Sequence, residues 1–270
     1  MEKIRIGCQT YTWEMLGDAW KGSVDDMLDI IKESGYGGVE ITNTMIGEYF
    51  DAPDEFAKAL NEHGLEFPAM GFVPRYGWTD SARVEEELLH ARKGVDFVSR
   101  FPGCRLELAG GSTASRNGFE EKFDTMCYLY GEVAAYAVQK NVSVDIHPHS
   151  HAGSIIESAR EYELLMTGTD PALLGWCPDT GHIIRGGLNL LETLKAYGDR
   201  IGHIHLKDVD SEGRWKMMGR GVCDFKKTFQ LLEDIRYSGW VIAEEESDTA
   251  RRDQKKAVSD DRHYLRLIGY

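Results

Sequence analysis

Residues able to bind a metal ion stand at the ends of four apolar segments. The segments 142–147, 173–179, 201–205 and 239–244 end on His147, Asp179, His205 and Glu244. Imidazole nitrogens and carboxylate oxygens together suit Mn²⁺, Co²⁺, Mg²⁺ or Zn²⁺. If the segments are parallel strands of one barrel, their final residues converge at one mouth. The pattern therefore predicts one divalent ion, with Mn²⁺ the first choice, held by these four side chains.

Such a site favours chemistry beside a carbonyl group. Two open coordination positions suit the carbonyl and the adjacent hydroxyl of a keto-sugar or keto-polyol. The ion would act as a Lewis acid that stabilises the enediolate formed when the neighbouring C–H bond loses its proton. A second group must then move that proton.

Strand alternation tests this interpretation. If His147 faces the barrel axis, Asp145 also faces inward, because successive strand side chains point to opposite sides. The same rule turns His203, His205 and Lys207 inward on the seventh strand. On both strands the residues left facing the helices are apolar, as the barrel arrangement requires.

The whole chain predicts a (β/α)8 TIM barrel in a single domain, residues 1–270. Eight strand-like segments, 4–9, 38–41, 65–72, 104–108 and the four already described, alternate with eight helical patterns. Helices are expected from Ser23 to Gly35, from Pro53 to Gly64, over 79–99, around 119–133 and over 250–270. Residues 10–21 are expected to form a loop.

Composition limits the partners. A net charge of −14 disfavours nucleic acid and anionic membrane as partners and favours a small uncharged substrate. The five cysteines are widely spaced without a Cys-x-x-Cys pair, which predicts reduced thiols. The first residues lack a long apolar segment, and we expect a cytoplasmic protein with no membrane span. A homo-oligomer is compatible with these features.

Four motifs in the second half resemble the xylose-isomerase-like superfamily of sugar isomerases and epimerases, which includes ketose 3-epimerases, hydroxypyruvate isomerase and inosose dehydratase. They are Pro-Asp-Thr-Gly-His at 178–182, His-Ile-His-Leu-Lys-Asp at 203–208, Gly-Arg-Gly-Val-Cys-Asp-Phe at 219–225 and Gly-Trp-Val-Ile-Ala-Glu at 239–244. The resemblance implies metal binding by Asp179, His205 and Glu244. It implies contact between His182 and a substrate hydroxyl.

The fifth strand departs from most of that superfamily. Epimerases and isomerases usually carry a glutamate where His147 stands, and that glutamate is both a ligand and a proton-transfer group. The stretch His147-Pro148-His149 is closer to inosose dehydratase. We expect His149 or Glu244 to transfer the proton and Lys207 to hold a substrate oxygen.

The leading function is a divalent-metal-dependent sugar isomerase or epimerase. The alternative is a lyase of the inosose dehydratase kind, which removes water from a keto-inositol or 3-keto-sugar. An abasic-site endonuclease is a remote alternative that the acidic charge disfavours, and a non-catalytic sugar-binding barrel is another.

Further side chains are expected at the mouth. Arg220, with Arg214 and Lys216, lies after the seventh strand, where barrels commonly bind phosphate. Trp13, with Trp20, Tyr76 and Trp78, is placed to stack on a sugar ring or to pack in the core. Arg105 is expected to pair with Glu107 inside the barrel, and Glu40 either to reach the substrate or to cap a helix.

Overall fold

Eight parallel strands form the centre of the protein. The structure, a computed structural model, describes residues 4–270, so the expectations for Met1 to Lys3 lie outside the described residues. The barrel strands are β1 (Arg5–Gln9), β2 (Gly38–Thr42), β3 (Glu66–Phe72), β4 (Arg105–Ala109), β5 (Ser143–His147), β6 (Leu174–Trp176), β7 (Ile204–Leu206) and β10 (Trp240–Ala243). A short hairpin of β8 (Asp208–Val209) and β9 (Trp215–Lys216) follows β7.

The strand order closes a ring. Hydrogen-bonded neighbours run β6-β5-β4-β3-β2-β1-β10-β7. The gap between β6 and β7 is bridged by two isolated parallel pairs, Trp176 with Ile201 and Asp179 with His205. The predicted (β/α)8 TIM barrel is confirmed, and the second bridge joins two of the predicted metal ligands directly.

Helices surround the ring. They are α1 (Tyr11–Glu14), α2 (Val24–Ser34), α3 (Pro53–His63), α4 (Val84–Val98), α5 (Phe119–Val138), α6 (Ala159–Gly168), α7 (Thr180–Arg185), α8 (Leu190–Ala196), α9 (Phe225–Asp234), α10 (Asp248–Arg252) and α11 (Gln254–Leu267). Within residues 4–270, none of them combines the length and the apolar character that a bilayer crossing needs.

Local signals in the sequence explain several helix ends. The Ser23 hydroxyl accepts from the Asp26 N–H at the start of α2, and Gly35 ends that helix at φ 86°. The predicted helix over 79–99 begins later, because the Asp80 side chain accepts from the Ala82 N–H and starts a 3-10 turn first. The predicted last helix is divided at Asp253, which has an extended backbone and whose side chain accepts from the Lys256 N–H at the start of α11. The predicted loop 10–21 contains α1 and a further 3-10 turn.

Charged residues fill the barrel below its mouth. Arg105 donates to both carboxylate oxygens of Asp145, at 2.7 Å from Nη2 to Oδ1. Glu107 lies farther away, with 3.9 Å between its Oε1 and the Arg105 Nε. The expected Arg105–Glu107 pair is therefore wrong as the main contact, because Asp145 on the adjacent strand offers the closer carboxylate. Burial, reinforced by Asp145, raises the pKa of Glu107 well above its usual value.

Candidate metal centre and substrate cavity

The four predicted ligands meet at the carboxyl ends of the strands. One potential ligand atom from each of His147, Asp179, His205 and Glu244 lies within 4.8 Å of the others. All four side chains are buried. The structure therefore contains a His/Asp/Glu cluster able to bind a metal ion, built from residues up to 97 positions apart in the chain (147 to 244).

His147 presents one ring nitrogen to the cluster. Its Nδ1–H donates to the Cys177 carbonyl oxygen at 3.0 Å, which leaves the Nε2 lone pair free. Burial, together with His205, lowers the pKa of His147 well below its usual value. The neutral imidazole is the form that binds a metal.

Asp179 leaves one oxygen unsatisfied. Its Oδ1 accepts from the His182 N–H at 2.7 Å and so caps α7. Its Oδ2 is buried and has no hydrogen-bond partner within the described chain. Burial raises the pKa of Asp179 to about 6, against the opposing charge of Lys207. Since buried polar atoms are nearly always satisfied in folded proteins, this oxygen suits a bound cation.

His205 is held by a carboxylate on the opposite side of the barrel. Its Nε2–H donates to Glu40 Oε2 at 3.0 Å, and its Nδ1 lies 2.7 Å from Glu244 Oε2. Glu40 also accepts from His203 Nε2 at 2.8 Å and from Gln9 Nε2 at 3.0 Å. Glu40 therefore does not cap a helix, because three donors inside the barrel engage it, and it also lines the cavity at the barrel mouth.

Glu40 and His205 adjust each other's charge. Burial disfavours the imidazolium, but Cys177 and Glu40 outweigh it and raise the pKa of His205 well above its usual value. Burial alone would raise the pKa of Glu40, yet His205 and His203 bring it below its usual value. This carboxylate–imidazole contact fixes the ring so that Nδ1 faces the cluster.

Lys207 is fully buried between two carboxylates. Its Nζ donates to Glu244 Oε1 at 2.5 Å and to Glu246, and lies 3.7 Å from Asp179 Oδ2. Burial opposes the ammonium, but Glu244 and Glu246 raise the pKa of Lys207 well above its usual value. In return, Lys207 and His205 overcome burial and lower the pKa of Glu244. Glu246 was not among the residues expected at the site, although it lies two positions after Glu244, in the segment that follows β10.

His182 and His149 stand beside the cluster. The Ser150 N–H donates to His182 Nδ1 at 2.9 Å, so the neutral ring carries its proton on Nε2. The His149 ring centre lies 4.7 Å from that of His147 and 5.0 Å from that of His182. Burial, with a contribution from Lys207, lowers the pKa of His149 to about 4. His149 is thus an uncharged base at neutral pH.

A cavity of about 570 Å³ opens above these residues. It is lined by the cluster residues His147, His205 and Glu244, and by His149, His182 and Trp215 among others. The Trp215 ring centre lies 4.9 Å from that of His182, edge to face. Trp215, on the hairpin after β7, is therefore the aromatic side chain beside the predicted substrate contact.

Three residues expected near the substrate do not line the cavity. Trp13 has no solvent exposure, packs beside Trp20 and is absent from the cavity lining, because the segment after β1 folds inward as α1. Trp78 is also fully buried, with its Nε1–H donating to the Ala109 carbonyl oxygen. Arg220 is exposed and does not line the cavity.

The basic residues after β7 serve the hairpin instead. Arg214 Nε lies 2.8 Å and Lys216 Nζ 3.1 Å from the same carboxylate oxygen of Asp210. The Asp208 carboxylate accepts from the N–H groups of Gly219 and Gly221. These contacts occupy Arg214 and Lys216, two of the three basic residues that the sequence suggested for phosphate.

The fold and the site define the class of protein. The chain belongs to the xylose isomerase-like TIM barrel family, whose model matches residues 28–268. The curated proteins that it resembles include the inosose dehydratase of Geobacillus kaustophilus, with 31% identity over 92% of this chain and 89% of that protein. The inosose dehydratase of Clostridium beijerinckii is 24% identical over 98% of this chain and 97% of that protein.

Solved structures share the fold at lower identity. The IOLI protein, solved with a bound zinc atom, has a TM-score of 0.81 and 16% identity, covering 98% of both chains. The 3-keto-D-glucoside 4-epimerase of E. coli has a TM-score of 0.79 and 18% identity, covering 98% of this chain and 100% of that chain. The family membership that the sequence motifs implied is confirmed.

Proposed function

We propose that this protein is a metal-dependent hydro-lyase that removes water from a keto-inositol or a related 3-keto-sugar. The proposal rests mainly on two histidines at the end of β5: His147 belongs to the cluster, and His149 lies beside it on the cavity wall. The similarity to inosose dehydratases over nearly the whole chain supports the same choice. The isomerase or epimerase that the sequence favoured becomes the second candidate.

The residues present fit a divalent ion. The buried Asp179 Oδ2 lacks a hydrogen-bond partner among residues 4–270, and the hydrogen bonds of both histidines direct one nitrogen each toward it and Glu244. His147, Asp179, His205 and Glu244 would hold the ion, and the mixed nitrogen and oxygen ligands suit Mn²⁺ before Co²⁺, Mg²⁺ or Zn²⁺. Such an ion supplies Lewis acidity to the substrate carbonyl.

The protein side chains divide the remaining work. His149, neutral and on the cavity wall, takes the proton from the carbon beside the carbonyl. The electrons of that C–H bond form the new carbon–carbon double bond, and the hydroxyl on the next carbon departs. The imidazolium of His149 returns its proton to that hydroxyl, so the products are the unsaturated ketone and water.

Two neighbours orient the reactants. The His182 Nε2–H donates to a substrate hydroxyl, because the Ser150 N–H already occupies Nδ1. Lys207 holds Glu244 and Glu246 apart and in place. Since the lysine is buried and absent from the cavity lining, its role is to position these carboxylates rather than to bind the substrate oxygen that the sequence suggested.

Epimerisation or isomerisation is supported by a different observation. Glu246 also lines the cavity and follows β10, whereas His149 follows β5. Two proton-transfer groups on separate walls suit removal of a proton from one face of a carbon and its return to the other. A small sugar remains the proposed partner in both cases, with neither nucleic acid nor membrane involved.

Incubation with 2-keto-inositol and Mn²⁺ tests the proposal. A lyase yields an ultraviolet-absorbing enone-type product and releases water, and His149→Gln abolishes this while retaining bound Mn²⁺. An isomerase or epimerase instead exchanges solvent deuterium into recovered ketose without gain of absorbance. Absence of both results with a range of keto-sugars rejects both candidates.

A further inference from the structure

Arg185 stands at the rim of the substrate cavity. It is the last residue of α7, the helix that begins after the ligand Asp179, and it lines the cavity. Its guanidinium carbon lies 4.7 Å from the centre of the Trp215 ring. Because Trp215 also contacts His182, the cation lies beside the proposed hydroxyl-binding histidine.

Among residues 4–270, this guanidinium contacts the Trp215 ring but has no acidic partner. Within the described chain it forms neither an ion pair nor a side-chain hydrogen bond, and its Nε is buried and unsatisfied. Half-buried arginines usually pair with a carboxylate, since an unsatisfied buried donor is costly. The protein has 45 acidic and 31 basic residues, so carboxylates are plentiful as partners for its cations. A cation that remains without one on a cavity wall indicates a binding site for an anionic ligand.

Most acidic side chains that line the cavity are already engaged, and burial raises the pKa of the remaining one, Glu107, well above its usual value. Lys207 binds Glu244 and Glu246, and the Thr42 and Thr44 hydroxyls donate to Glu14. These contacts reduce the repulsion that an incoming anion would meet. Another cation, Arg75, also lines the cavity, but it is exposed and therefore more strongly solvated.

We propose that Arg185 binds an anionic group of the substrate, a carboxylate or a phosphate. The planar guanidinium, held against the Trp215 ring, offers two parallel N–H donors to such a group at little further ordering cost. The substrate class is then a keto-sugar or keto-polyol bearing an acid or phosphate, a refinement that rests on the proposed function. It replaces the expectation of an uncharged substrate, which followed from net charge alone.

Binding tests the proposal without relying on turnover. The probes are D-glucose, D-glucuronate and D-glucose 6-phosphate, which differ only at C6, titrated calorimetrically into the Mn²⁺-loaded protein. We expect one of the anionic probes to bind about tenfold or more tightly than glucose, since hydrogen bonds to charged groups are the stronger kind. Comparing D-glucuronate with D-glucose 6-phosphate shows whether the site prefers a carboxylate or a phosphate.

Variants identify the residue responsible. Arg185→Met removes the preference for the anionic probes over glucose, and Arg185→Lys retains part of it. The lysine variant still tests the proposal if the methionine variant folds poorly. Arg252→Met, at an exposed site outside the cavity lining, controls for the loss of one positive charge. Equal binding of all three probes overturns the proposal, as does a preference that survives Arg185→Met or disappears only in Arg75→Met.

Turnover separates this proposal from the function on which it rests. The 3-keto forms of the same three sugars are assayed for dehydration. If none reacts while the anion preference still depends on Arg185, the lyase assignment fails and the anion site stands. If the neutral ketone reacts as fast as the charged ones and binding shows no preference, the anion site fails and the lyase stands.

Discussion

Replacing Lys207 with methionine should destabilise the protein strongly. The ammonium is 1% exposed and contacts Glu244 and Glu246, whose side chains are 6% and 13% exposed. Breaking a buried pair on one side costs about 3–5 kcal/mol, because the remaining charge stays buried without compensation. Here two carboxylates lose their partner, so we expect the free energy of unfolding of the metal-free variant to fall by at least about 3 kcal/mol.

The loss should depend on pH. Lys207 lowers the folded-state pKa of Glu244 below its ordinary value of 4.5, so the stabilisation is present above that pH and is lost as pH falls through the lower folded value. The folded-state pKa of Lys207 is raised above 10.5, so the contact persists up to that pH. The difference between wild type and Lys207→Met is therefore largest near neutral pH and narrows in acid.

Equilibrium urea denaturation of the metal-free protein at pH 7 and at about pH 3.5, below the ordinary pKa of Glu244, measures this effect. Lys256→Met is the matched control, because its partner Asp260 is about half exposed and such pairs contribute about 0.2–1 kcal/mol. Adding Glu246→Gln to Lys207→Met should recover part of the loss. A loss below about 1 kcal/mol, or one that matches the control, would refute the claim that this buried cation holds the carboxylates in place.

Two other substitutions probe what supports the centre. Glu40→Gln should weaken Mn²⁺ binding by about 10–100-fold, because it removes the carboxylate that orients His205, and calorimetric titration measures this with Glu48→Gln, at an exposed site, as control. Gly202→Ala should lower the free energy of unfolding by about 1–3 kcal/mol, since the added methyl group would overlap Asp145 and Arg105 at the barrel closure. In the same urea series Gly131→Ala, with open space at its Cβ inside α5, should instead stabilise by about 0.5–1 kcal/mol. An unfolding free energy for Gly202→Ala equal to that of wild type would mean that the closure tolerates a side chain there.

The sequence predicted the ring and its mouth because these depend on regular patterns. Apolar strand residues recur at fixed intervals. The segments that end on His147, Asp179, His205 and Glu244 bring these side chains together at the carboxyl ends of the strands. Alternation also predicted correctly that Asp145 and His203 face the interior. Local capping residues such as Ser23 fixed individual helix ends.

Contacts between distant segments could not be predicted from such patterns. The partner of Glu40 is His205, 165 positions away, and the choice of Asp145 over Glu107 for Arg105 depends on side-chain reach inside the closed ring. That Trp215 lines the cavity in place of the expected Trp13 also depends on contacts between distant segments. Both tryptophans lie in segments that follow strands, and only the inward fold of α1 buries the first of them.

Titration of the metal-free protein with Mn²⁺ tests the central claim most directly. We expect one ion per chain, with binding abolished in Asp179→Asn and His147→Ala and unchanged in His63→Ala, whose histidine pairs with Asp29 on the outer helices. Bound Mn²⁺ at 100 times its dissociation constant should also stabilise the wild type by about 2.7 kcal/mol. Absence of binding, or binding that survives both substitutions, would contradict the assignment of these residues as a metal centre.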